Sequence, residues 1–104
     1  MDDATPFEVV LVHLDGYLRV KLRGEMDYPA LISDQGATLQ AVTHSRERVV
    51  IDLSEVTFMD SSGIAILVNI GRQHDGPLRL EGVQSAVRKI LEVSGLTELF
   101  DIGG

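Results

Sequence analysis

The stretch V-V-I-D-L-S-E-V-T-F-M-D-S-S-G-I-A-I-L-V-N-I-G-R-Q-H, residues 49–74, constrains the fold most. After Arg48 the run at 49–53 is almost continuously apolar, with Asp52 its one break, which is the pattern of a strand buried on both faces in a parallel sheet. A polar connection at 54–57 and an apolar step at Phe58 and Met59 follow. Asp60-Ser61-Ser62-Gly63 then opens a stretch of helical period, 61–74. Its buried stripe is expected from Ile64, Leu67, Val68 and Gly71, widened by Ile66 and Ile70. A buried strand feeding an amphipathic helix is half of a parallel crossover unit, so the flanks must supply neighbouring strands.

They do. Residues 7–14, F-E-V-V-L-V-H-L, are rich in β-branched side chains and read as a strand. Asp15-Gly16 between two apolar runs signals a hairpin, because the tight turn needs residues that tolerate positive φ. Residues 17–23 alternate, with Leu18, Val20 and Leu22 on one face and Arg19, Lys21 and Arg23 on the other. The basic stripe reads as a solvated sheet face in preference to a binding surface. Residues 24–27, G-E-M-D, break this strand, and Asp27 with Pro29 suits a helix N-terminus. Residues 29–44 form a moderate amphipathic helix through Leu31, Ile32, Leu39 and Val42, with Gly36 inside it.

After Asp75-Gly76-Pro77 stops the second helix, residues 78–81 make a short strand. Residues 84–93 make a third helix, with Val87, Ile90 and Leu91 inward and Arg88, Lys89 and Glu92 outward. Ser94-Gly95 closes it, and residues 99–102 form a last strand. The order β-β-α-β-α-β-α-β predicts one α/β domain over residues 1–104, a small mixed sheet with packed helices, and a flexible tail at 1–6.

Composition excludes more than it selects. A net charge of −7 makes nucleic acid and anionic membranes poor partners and suits a partner with basic patches. There is no cysteine, hence no disulfide framework or thiolate chemistry, which agrees with a reducing cytoplasm. No signal peptide is visible, and no apolar run approaches the ~18 residues needed to span a bilayer. His13, His44 and His74 lie in different elements without ligand spacing, so no metal site is expected and they read as surface or strand-end histidines. No nucleophile elbow, Walker loop or dinucleotide fingerprint occurs, and no histidine is placed to serve Ser61 as a base. No catalytic residue, cofactor or enzyme activity is expected.

The helix entrance is the candidate site. The first amides of a helix have no internal partners. Ser61 or Ser62 could cap them and Asp60 could do the same, or a hydroxyl there could carry a phosphate that another protein reads.

The string D-L-S-E-V-T-F-M-D-S-S-G-I-A-I-L resembles the signature of anti-sigma factor antagonists, bacterial members of the STAS domain family. G-E-M-D at 24–27 resembles the family's G-E-L-D segment, and V-R-K-I-L at 87–91 with S-G-L at 94–96 resembles its third helix and end. The resemblance covers nearly the whole chain. It implies a cytoplasmic partner-switching regulator. Unphosphorylated, such a protein binds an anti-sigma factor that is also a serine kinase of the histidine-kinase-like ATPase fold, which releases a sigma factor. Phosphorylation on the first serine of D-S-S-G ends the complex, and a PP2C-type phosphatase restores it. By position, Ser61 is the phosphoacceptor, and Asp27, Asp60, Ser61, Ser62 and Gly63 make the partner-binding set.

The family usually carries one more helix after the last strand, and the sequence ends at Gly104 without room for it. Either the chain is truncated or this member lacks the helix, which leaves apolar surface expected around Phe100 and Ile102. Met26 replaces the usual leucine, and Tyr28-Pro29 stands where polar residues are common. A second function class is a constitutive STAS subunit of a signalling scaffold or a transporter ATPase complex. A third is a ligand- or nucleotide-sensing module, though no phosphate cradle is seen.

Overall fold

The computed structural model describes residues 6–76 and 78–103. Apart from Pro6, the expected flexible tail lies outside them. Five strands form one sheet in the order β1-β2-β3-β4-β5: Glu8–Leu14, Tyr17–Met26, Arg48–Met59, Leu78–Glu81 and Asp101–Ile102. β1 and β2 are antiparallel, joined at Asp15-Gly16, where Gly16 takes φ 82°. Every later pairing is parallel. The helices are α1 (Tyr28–Leu31), α2 (Asp34–Ala41), α3 (Ser61–Gln73) and α4 (Ser85–Val93).

The alternation of β2 decides the layering. Leu18, Val20 and Leu22 are buried with Val49, Ile51 and Leu53 of β3 and Leu78 and Leu80 of β4. Leu39, Val42, Ile66, Leu67, Ile70, Val87 and Leu91 complete the same core from the helical side. Burying these side chains removes about 1.5–3 kcal/mol of unfavourable hydration each. The opposite face of the sheet carries the basic stripe, and each of its cations is paired. Arg19 meets Asp52 (2.8 Å) and Glu81 (3.1 Å), Lys21 meets Glu55 (2.5 Å), and Arg23 meets Glu8 (3.6 Å) and Glu55 (3.4 Å). Burial of Asp52 favours its neutral form, but the Ser54 hydroxyl and amide and the Arg19 guanidinium outweigh it and hold this carboxyl below its ordinary range. Lys21 does the same for Glu55, which lies at the surface.

The structure corrects several sequence expectations. β2 and β3 do not stop at Arg23 and Leu53 but run on to Met26 and Met59, through register shifts between Lys21 and Arg23 and between Gly24 and Glu25. β4 pairs only with Val49–Asp52, so the second half of β3 has β2 alone as neighbour and tolerates polar residues. The first helix is broken. α1 ends at Leu31, and Ser33 restarts the chain as the N-cap of α2. A Cβ on Gly36 would collide with the Leu31 carbonyl, so α2 packs onto α1 only because this residue has no side chain. Ile32 falls in the break and is exposed instead of buried.

In α3 the fully buried residues are Gly63, Ile66, Leu67 and Ile70, while Ile64 and Val68 are partly covered. In α4, Ile90 is exposed. The last strand is shorter than expected, because a 3₁₀ turn takes Thr97–Leu99. Phe100 is not left uncovered. It is 8% exposed, and its ring occupies the space a Cβ on Gly71 would need, while Ile102 is partly buried. His74 is neither a surface nor a strand-end residue. It is the buried C-cap of α3, its amide donating to the Ile70 carbonyl at 2.8 Å.

Candidate functional site

Parallel β2 and β3 end side by side, with Met26 and Met59 as register partners, and each strand feeds an aspartate directly into a helix. Neighbouring strands lie about 4.8 Å apart, so the two helix entrances are adjacent. The Asp60 amide donates to the Met26 carbonyl at 3.3 Å and ties them together. The Asp27 carboxylate caps α1 by accepting from the Ala30 amide at 3.0 Å.

At the second entrance the cap is Asp60, not a serine. One oxygen of its carboxylate accepts from the Ser62 amide at 2.9 Å and the Gly63 amide at 3.2 Å. The residue has extended backbone, φ −94° and ψ −173°, as an N-cap requires. Ser61 is thereby relieved of any capping duty. It is exposed, and its hydroxyl has no hydrogen-bond partner among the described residues. Ser62 is half-buried. Gly63, expected among the contact residues, is buried. A Cβ there would stand 2.5 Å from Met59 Cγ and 2.9 Å from the Met26 carbonyl oxygen, so this glycine sets how closely α3 approaches the strand ends.

The surroundings of the serines hold what the sequence did not reveal. A cleft of about 330 Å³ between α1, α2 and α3 is lined by Tyr28, Leu31, Ile32, Gln40, Ser62, Ala65 and Ile66. Tyr28 is 61% exposed and Ile32 67%. Large apolar groups left this open beside a polar helix entrance suit a protein contact. The break between α1 and α2 releases Ile32 from the core. A second depression, about 310 Å³, lies on the open sheet face, but its Arg19 and Arg79 are committed to carboxylates. Among the described residues no group of three or more potential metal ligands occurs, and no helix is long and apolar enough to cross a membrane.

The family model described as Mlab, STAS domain matches residues 9–101. The chain belongs to the STAS domain family. It is 27% identical over 99 residues to the anti-sigma F factor antagonist of Paenibacillus polymyxa, covering 91% of this chain and 85% of that one. Its fold is similar to an anti-sigma factor antagonist from Mycobacterium paratuberculosis, with TM-score 0.75 and 26% identity over 92% of this chain and 84% of the other. The anti-sigma factor antagonist SpoIIAA shares the fold at TM-score 0.69 in both its unphosphorylated and its phosphorylated form. These are 18% and 20% identical, covering 94% of this chain and 87% and 91% of theirs.

Proposed function

We propose that this STAS domain is an anti-sigma factor antagonist, switched by phosphorylation of Ser61. Unphosphorylated, it binds an anti-sigma factor that is a serine kinase of the histidine-kinase-like ATPase fold and so releases a sigma factor. Phosphate on Ser61 ends the complex, and a PP2C-type phosphatase restores it. The observation that carries the reading is the exposed, unengaged Ser61 hydroxyl at a helix entrance whose cap is supplied by Asp60. The relatives named as antagonists supply the partner class, and the exposed Tyr28 and Ile32 supply an adjoining apolar contact.

Magnitudes favour a switch of the interface over a switch of the fold. Phosphate adds about −1.5 to −2 charges. At an exposed helix N-terminus negative charge is favourable by about 0.3–1 kcal/mol. Buried at an interface without a counter-charge it costs several kcal/mol, and every ~1.4 kcal/mol is tenfold in affinity. The complex therefore fails while residues 60–74 keep their conformation.

The test is phosphopeptide mass spectrometry after incubation with ATP and a candidate anti-sigma kinase, beside Ser61→Ala. Phosphate on Ser61 with loss of kinase binding supports the switch. Tight partner binding with no phosphate on the wild type overturns it in favour of a constitutive subunit.

A further inference from the structure

β1 ends the sheet, and among the described residues no strand pairs with its outer edge. The two-residue turn at Asp15-Gly16 makes Leu14 and Tyr17 the first hydrogen-bonded pair. Residues 8, 10, 12 and 14 then turn their backbone groups toward β2, and residues 9, 11 and 13 turn theirs outward. The Val9 amide agrees, since it donates to the Gln35 Oε1 of α2 at 2.7 Å. Leu11 and His13 point the same way and meet no other described strand. Edge strands are normally blunted by lysine, proline or a bulge. β1 pairs without a bulge along its whole length, and E-V-V-L-V-H-L carries no lysine or proline. On the open sheet face it exposes Val10, Val12 and Leu14, each by 41–42%.

We propose that β1 pairs antiparallel with β1 of a second copy of this chain, about a two-fold axis at Val12, joining two sheets into one. Gln35 narrows the register. An axis at Leu11 or Val10 would need the Val9 amide, which is occupied. An axis at Val12 places Leu11 opposite His13 of the second copy and uses only the free groups, giving four backbone hydrogen bonds. On the open face Val12 then meets its own copy and Val10 meets Leu14, an uninterrupted apolar ladder. Charge permits this register, because Glu8 falls opposite Gly16 and Asp15 opposite Val9, so no like charges face each other. On the helical side Leu11 and His13 share an open depression with Thr38 and Ala41, which leaves room for the second copy to approach. One strand edge and part of a helix offer an area at the low end of specific interfaces, so the dimer is concentration-dependent. With −7 per chain it strengthens with salt.

Sedimentation velocity from micromolar to millimolar chain tests this, alongside amide exchange at the two extremes. The expected result is a monomer–dimer equilibrium with Leu11 and His13 amides slowed only at high concentration and Val9 protected throughout. Val12 is 41% exposed on the open sheet face, so the monomer tolerates Val12→Glu, whereas the dimer would set two carboxylates opposite each other. The substitution should weaken association by at least about tenfold. A monomer at every concentration with unchanged Leu11 and His13 exchange overturns the proposal. So does a dimer that Val12→Glu leaves intact, or protection of β1 only by a different protein. The exchange measurement uses the unsubstituted chain and stands even if the variant does not fold.

Discussion

Asp60→Ala and Ser61→Ala should differ sharply although the residues are neighbours in one helix entrance. Asp60 accepts from two amides, at 2.9 and 3.2 Å, that have no helical partner. Removing such a cap typically costs ~1 kcal/mol. Removing its charge from the positive end of α3 adds about 0.3–1 kcal/mol. The sum, about 1.5 kcal/mol, lowers Tm by about 6–12 °C in a domain of this size. The Ser61 hydroxyl has no partner among the described residues, so Ser61→Ala should change stability by less than about 0.5 kcal/mol. Asp60→Asn, which keeps an acceptor but not the charge, should fall between. Thermal and urea denaturation followed by circular dichroism measure all three. If Ser61→Ala costs as much as Asp60→Ala, the serine is structural and the division of labour described here is wrong.

Other consequences follow from single contacts. Gly63→Ala gains helix propensity but drives a Cβ against the Met26 carbonyl, which is backbone and cannot rotate away, so a net loss of about 1–2 kcal/mol is expected in urea. Ile32→Asp should leave stability within about 0.5 kcal/mol while weakening binding of an anti-sigma partner, read by calorimetry, by tenfold or more. Asp52→Asn should cost about 1.5–3 kcal/mol at neutral pH, because the carboxylate accepts from the Ser54 amide and hydroxyl and from Arg19. Its folded pKa is depressed, so this stability is fully present above the unfolded value near 4 and is lost as pH falls through the folded value. The wild type and Asp52→Asn should therefore converge in a stability titration carried into acid.

The layering was legible because β2 alternates so cleanly, and α3 because its apolar residues recur at helical spacing. Ser54 and Thr57 hid the second half of β3, since a strand with one neighbour tolerates polar residues that a central strand would not. The break between α1 and α2 was hidden because Leu31, Ile32, Leu39 and Val42 fit one helical stripe, which masked the Ser33 cap and the close approach of Gly36 to the Leu31 carbonyl. At the site, Asp60, Ser61 and Ser62 were each chemically able to cap, and only the geometry assigns that role to Asp60. The apolar rim of Tyr28 and Ile32 escaped notice because Ile32 fits a helical stripe that the chain does not form.

The central claim is that charge on Ser61 acts at an interface and not on the fold. The most direct measurement compares the affinity of the anti-sigma kinase for the unmodified chain and for the chain carrying phosphoserine at 61, with amide spectra of both. The account predicts a loss of affinity of a hundredfold or more, with spectral changes confined to the entrances of α1 and α3. Equal affinity, or a rearrangement that reaches through residues 60–74, would contradict it.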